Sequence, residues 1–233
     1  MTGVLFWDID GTLLTTGWAG LFAWEAALRV SLGVEQDLSE MKTSGMTDVE
    51  IAHMLIGLHG GGEEAKLQSM VRAYEESLPG SLPKREGYVL PGVQAVLEAV
   101  HGRDDIRSML LTGNTRAGAD AKLTYYGLAG YFEGGAFGDD ADDRPGVASL
   151  AWNAAKRSLG DEFDVERSYV IGDTPADVEC GKAIGVRTVA VASGTYGVAE
   201  LQQTGPWLVL PSIPSPNEFD AALGLAQPQE GRV

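Results

Sequence analysis

Five short apolar runs, at residues 4–7, 106–111, 136–137, 169–171 and 186–192, constrain this chain more than any other feature. Several are rich in β-branched residues, and the run at 136–137 is the weakest. Between most of them lie segments of helical period, at 93–100, 117–126, 147–159 and 176–184. Strands that alternate with helices of this length predict a parallel sheet covered on both faces, and hence an α/β fold. A last edge strand is expected at 207–210, a final helix at 217–223 and a disordered tail after Gln227.

The stretch from Thr15 to Tyr88 breaks the alternation. It holds no convincing strand and three helical stripes: Leu21, Trp24, Leu28 and Leu32; Ile51, Leu55 and Leu58; and Leu67, Met70, Val71, Tyr74 and Leu78. A turn is expected at Gly60-Gly61-Gly62 between the last two. This pattern predicts a helical insertion over 15–88, entered near Thr15-Gly17 and left near Glu86-Gly87, with the core formed by 1–14 and 89–233. Two chain crossings make a hinge, so the insertion is placed to close over a site as a lid.

The ends of three strands carry the chemistry. Asp8-Ile9-Asp10-Gly11-Thr12 follows the first apolar run, Thr112-Gly113-Asn114 follows the second, and Gly172-Asp173-Thr174-Pro175-Ala176-Asp177 ends the run at 169–171. In open parallel sheets ligands bind outside the carboxyl ends of the strands, so these segments should meet in one crevice. Asp8 is the candidate nucleophile, since a carboxylate attacks phosphorus to give an aspartyl-phosphate, and Asp10 is the candidate acid and base. Gly11 permits close backbone approach. The Thr112 hydroxyl and the amides of Gly113 and Asn114 face an anion at a helix start. Asp8, Asp173, Asp177 and Asp10, the last through its backbone carbonyl, are the expected ligands of Mg2+, which takes oxygen donors. Thr174, Pro175 and Asp177 also read as an N-cap, a first-turn proline and a capping-box acid, and both roles are compatible.

Charge narrows the partners. With 33 acidic against 17 basic residues and a formal charge of −16, neither nucleic acid nor an anionic membrane is the expected partner, and an anionic substrate needs a local cationic trap. The single cysteine, Cys180, forms no internal disulfide and no Cys/His metal spacing occurs, so a cytoplasmic location is expected, with neither secretion signal nor membrane span. His53, His59 and His101 lack a paired metal pattern, and Trp7, Trp24 and Trp152 are expected in cores.

These motifs, in this order, resemble the haloacid dehalogenase-like hydrolase superfamily over nearly the whole chain. Leu90-Pro91-Gly92-Val93 and Gly127-Leu128 with Tyr131-Phe132 are similar to the branch holding phosphoglycolate phosphatases and β-phosphoglucomutases. The resemblance implies a Rossmann-like core, a helical cap, Mg2+ dependence and a phosphoaspartate intermediate. That family's third motif offers a lysine, often as Lys-Pro, where this chain has Arg144-Pro145. Arginine keeps the charge and can bind phosphate through two bonds, so Arg144 is the candidate bridge between Asp8 and the phosphoryl group, with Lys122 and Lys182 as substitutes. Ser44-Gly45-Met46-Thr47-Asp48 resembles the loop that reaches substrate in capped relatives, so Met46 is expected to line the pocket, and Trp18 to supply an apolar wall.

The leading expectation is a Mg2+-dependent phosphatase of a small phosphorylated metabolite; the alternative is a phosphosugar mutase, for which Asp8 and Asp10 serve equally. A carbon–halogen hydrolase would leave Asp10 without a task. A phosphonate hydrolase would need a cap lysine, and Lys42 and Lys66 carry no supporting pattern. A non-enzymatic binding module is disfavoured by the four intact acids. Phosphoglycolate, a sugar phosphate and a nucleotide monophosphate all stay open as substrates.

Overall fold

A computed structural model describes residues 1–60 and 64–225. The turn expected at Gly61-Gly62 and the tail after Gln227 lie outside the described residues. One six-stranded sheet, parallel throughout, runs in the order β5-β4-β1-β6-β7-β8. Its strands are β1 (Gly3–Trp7), β4 (Ile106–Leu111), β5 (Gly135–Ala136), β6 (Tyr169–Gly172), β7 (Arg187–Val191) and β8 (Leu208–Leu210). Helices α4 (Val93–Val100), α5 (Arg116–Tyr125), α6 (Arg144–Leu159), α7 (Pro175–Ile184), α8 (Val198–Gln203) and α9 (Pro216–Leu223) connect or follow them.

The absence of polar alternation in β1 now has its reason. Leu5 and Trp7 point into one apolar cluster with residues of α4, α5 and α9, while Val4 and Phe6 point into another with α6 and α7. All four side chains are fully buried, and each such burial is worth roughly 1.5–3 kcal/mol. Cys180 sits in the second cluster, and burial pushes its thiol up to about 12. The tryptophans expected in cores behave so: Trp7 stacks on Phe219, Trp24 on Tyr74, and Trp152 is half-buried against Phe163.

Residues between β2 (Leu14–Thr15) and β3 (Tyr88–Val89) form α1 (Ala19–Leu32), α2 (Asp48–Leu58) and α3 (Glu64–Ser81), which enclose an apolar cluster of their own around Trp24, Leu28, Ile51, Leu55, Met70 and Tyr74. Two expectations need correction. Thr15 and Tyr88 belong to an antiparallel ribbon in which Leu14 pairs with Val89 and Thr15 with Tyr88, and strands of two residues are too short to show a period. Leu58 does not join the inner stripe of α2; it is 61% exposed, and Ala52 and Ile56 are buried there with Ile51 and Leu55. At the ribbon's insertion end the two chain segments run so close that a Cβ on Gly17 would meet the backbone of Glu86 and Gly87.

Candidate active site

Register brings the strand ends together. Trp7 is the partner of both Leu110 in β4 and Ile171 in β6, so the residues that follow each strand emerge at one level. Asp8, the first residue past β1, keeps its amide in the sheet by donating to Ile171 O at 3.0 Å, which fixes the carboxylate at the mouth.

Asp8, Asp173 and Asp177 each offer a carboxylate oxygen, and these oxygens lie within 4.8 Å of one another. All three residues are buried. Glycines make this closeness possible: a Cβ on Gly11, Gly172 or Gly194 would overlap the side chain of Asp173 or Asp177, and Gly11 has φ +80° besides. Ser193 Oγ ties down the Gly11 carbonyl at 2.7 Å, and Thr12 Oγ1 donates to Asp173 at 3.2 Å. Asp177 works locally as well, in a capping box with Thr174 at the start of α7.

Arg144, the first residue of α6, is buried and reaches both Asp177 and Asp8, the latter at 3.5 Å. Burial by itself would lower its pKa, but the charges of Asp177 and Asp8 outweigh that and hold the guanidinium protonated. One arginine does not balance three buried acids. Burial, then the neighbouring charge of Asp177, raises Asp8 to about 7, and burial with the charge of Asp8 raises Asp173 well above the carboxylate range. Hard oxygen donors crowded in this way fit Mg2+, with Asp8 and Asp173 having oxygens to give. Asp177 is already bonded at both oxygens, to Arg144 and Thr174, so its natural role is through water.

Asp10 stands apart from this group. Its Oδ2 accepts from Lys122 Nζ at 2.6 Å and from Asn114 Nδ2 at 2.9 Å, so Oδ1 and the backbone carbonyl are the oxygens these bonds leave open. The N-cap of α5 is Thr115, so Thr112 and Asn114 are free for the site. Thr112 is fully buried and accepts from Asn114 Nδ2 at 2.9 Å. Gly113 lies under the Arg144 guanidinium, where a Cβ would come within 2.9 Å of Nη1.

Lys122, considered from the sequence only as a stand-in for Arg144, takes a different place: it bonds to Asp10, not to Asp8. It lies one helical turn after Gly118 on α5, whose N-cap Thr115 directly follows Asn114. Lys182, the other lysine considered, bonds instead to Thr204 O at 2.7 Å.

The loop before α2 comes down on the strand ends. Asp48 N donates to Gly113 O at 2.7 Å, and Thr115 N donates to Asp48 Oδ2 at 2.8 Å. Ser44 Oγ meets Thr195 Oγ1 at 2.9 Å. A Cβ on Gly45 would touch Ala176 and Thr174. The Met46 backbone reaches Gly113, while its side chain packs against the apolar cluster of α1–α3. Trp18, at φ 75° and 61% exposed, lines a cavity of about 710 Å3 with Phe22, Glu25, Asp37 and Arg85, and none of the four acids line it. His59 bonds to Gln36 and His101 packs on Tyr131, which are local roles.

With this geometry in view, comparison with known proteins is direct. Residues 5–182 match the family model described as haloacid dehalogenase-like hydrolase, and the chain belongs to that family and is an enzyme of it. It is 26% identical over 212 residues to a protein named "Probable phosphatase IndB" from Dickeya dadantii (strain 3937), covering 90% of each chain. In structure it is similar to a predicted phosphoglycolate phosphatase from Haemophilus somnus 129pt, with a TM-score of 0.73 at 16% identity, covering 97% of this chain and 98% of that one. It is also similar to a protein provisionally described as a β-phosphoglucomutase from Thermotoga maritima, with a TM-score of 0.63 at 19% identity, covering 97% and 100%. At these identities the structural likeness is one of fold. Among the described residues no helix is long and apolar enough to cross a membrane.

Proposed function

We propose that this chain is a Mg2+-dependent phosphatase that hydrolyses a small phosphorylated metabolite through a phosphoaspartate on Asp8. The observation that carries this reading is the placement of Asp8: buried at the end of the central strand and flanked by Arg144 and Asp173. An Asp8 oxygen forms a bond to phosphorus as the ester P–O bond breaks, and the electron pair leaves with the alcohol oxygen. Asp10 gives that oxygen its proton, then takes one from the water that attacks the phosphoaspartate, so the side chain ends as it began. Arg144 and the amides of Gly113 and Asn114 orient the phosphoryl oxygens. Mg2+, held by Asp8, Asp173, the Asp10 carbonyl and Asp177 through water, supplies the positive charge that lets an anion approach these acids.

Residues 15–88 act in this reading as a cap over a core of 1–14 and 89–233. The separate apolar cluster of α1–α3 and the ribbon that joins it to the sheet support that division. The 43–48 loop shapes the leaving-group side through its backbone, whereas Met46 and Trp18 have the weaker claim on substrate for the reasons of packing and position given above. A single buried cysteine is consistent with a cytoplasmic location.

Release of phosphate from p-nitrophenyl phosphate and a panel of metabolite phosphates, with and without Mg2+, tests the proposal. Turnover that requires the metal and vanishes in Asp8→Asn is the expected result; full turnover in Asp8→Asn would end the covalent mechanism. The same samples read the mutase alternative, which would yield an isomerised sugar phosphate in place of free phosphate.

A further inference from the structure

We propose that Lys122 is a positioning residue that fixes which oxygen of Asp10 carries the transferred proton, and that Asp48 of the helical insertion holds Lys122 in that role. The idea rests on the phosphatase reading above, and it assigns work to two residues that the reading leaves idle.

Three observations support it. The Lys122 side chain is only 5% exposed whereas that of Asp10 is 43% exposed, so the ammonium is sealed behind the acid and acts on substrate only through it. Both donors to Asp10, Lys122 Nζ and Asn114 Nδ2, bond to Oδ2. That oxygen is occupied as an acceptor, which leaves Oδ1 as the atom that gives its proton to the departing alcohol and takes it back from water. Lys122 also bonds to Asn114 Oδ1, so the two donors brace each other.

The third observation is the neighbour of Lys122 across the interface. Asp48 is 6% exposed, and its Oδ2 lies 3.3 Å from where a Cβ on Gly118 would stand, one helical turn before Lys122 on α5, so the two opposite charges act on each other. Asp48 also accepts from Thr115 N and donates its own amide to Gly113 O. Asp48 lies in the insertion, and Lys122, Gly113 and Thr115 lie in the sheet half. When the insertion lifts, the start of the helix that carries Lys122 loses Asp48 and the bond to Thr115 N. Acid positioning and closure are therefore one event.

Leaving-group dependence tests this. The value of kcat/KM covers only the steps through alcohol departure, and p-nitrophenolate departs without a proton while an aliphatic alcohol does not. General acid help is worth about 10²–10⁴-fold. Lys122→Met should lower kcat/KM for an alkyl phosphate at least about tenfold more than for p-nitrophenyl phosphate, with inhibition by inorganic phosphate unchanged. Asp48→Asn, which keeps an oxygen for Thr115 N, should show the same selectivity to a smaller degree. Equal losses on both esters, or a loss confined to phosphate affinity, would overturn the proposal. If Lys122→Met does not fold, Asp48→Asn decides by the same criterion. A readout free of turnover separates this proposal from the function it rests on. The Lys122 ammonium of the wild-type chain should give a slowly exchanging 15N-coupled proton signal that Asp48→Asn broadens or removes. A signal that is absent in the wild type, or unaltered in Asp48→Asn, sinks the idea whether or not the chain hydrolyses phosphate esters.

Discussion

The two sides of the site are built differently. The phosphoryl side, with Asp8, Asp173, Asp177 and Arg144, comes wholly from the sheet half and is fixed by strand register, three glycines and two helix starts. The leaving-group side, with Asp10, Asn114, Lys122 and Asp48, is complete only when the helical insertion is seated on α5 and on the turn after β4. On the mechanism proposed above, attack on phosphorus would depend on the core having folded, and departure of the alcohol on the insertion having closed.

The strongest way to break that division is at Asp8. Asp8→Asn should lower turnover at least about 10³-fold, as for other covalent nucleophiles. Without metal the same variant should be more stable than the wild type above neutral pH, by roughly 1–3 kcal/mol, because it removes one of three crowded charges. Chemical denaturation at pH 8 checks this. Arg144→Ala comes next. Its loss leaves Asp177 and Asp8 unbalanced, so stability should fall by about 3–5 kcal/mol and phosphate affinity with it. Unchanged turnover and phosphate inhibition would remove Arg144 from the site.

Gly194→Ala probes the metal with less collateral damage. Its Cβ overlaps the Asp173 carboxylate, so the Mg2+ activation curve should move to roughly 10–100-fold higher concentration while α7 stays folded.

A smaller effect is expected from pH. Asp8 and Asp48 are each raised from 3.8 to about 7, so the folded chain binds protons more tightly than the unfolded one between those values. Stability should then fall as pH rises from about 4 to about 7, with a melting temperature higher at pH 5.5 than at pH 7.5. Added Mg2+ should recover the Asp8 share of the difference at pH 7.5 and not the Asp48 share, since only Asp8 belongs to the proposed metal site. Ser44→Ala is the mildest test. It removes one exposed hydrogen bond between the insertion and Thr195, worth about 0.5–1 kcal/mol, so KM should shift by a few-fold at most and the metal response not at all.

What could be read in advance follows the same division. The strands, the alternation of helices and the positions of Asp8, Thr112 and Asp173 rest on local apolar runs and on the rule that open sheets bind ligands at their strand ends, and both are written in consecutive residues. Arg144 was legible only through the family resemblance, because Arg144-Pro145 stands where the third motif has a lysine, often before proline. Lys122 was legible only as a stand-in for Arg144, and Asp48 only as the end of the 44–48 loop; their place beside Asp10 and the start of α5 was not, because it depends on contacts between residues 74 positions apart by their numbers. The β2–β3 ribbon was hidden for lack of length. The apolar stripe of α2 was misassigned at Leu58 because small residues such as Ala52 carry little weight in a stripe although they pack well.

The two-faced burial of β1 has a consequence for how errors in this enzyme would look. A shift of β1 by one residue against β4 and β6 would exchange Trp7 for Phe6 in every contact and carry Asp8 to the opposite side of the sheet. An indole does not fit the space of a phenyl ring, so a misaligned chain would be visibly unstable rather than folded and inert. Preparations of this protein should therefore contain few molecules that are native in shape yet dead, and titration of active centres ought to approach the concentration of folded chain.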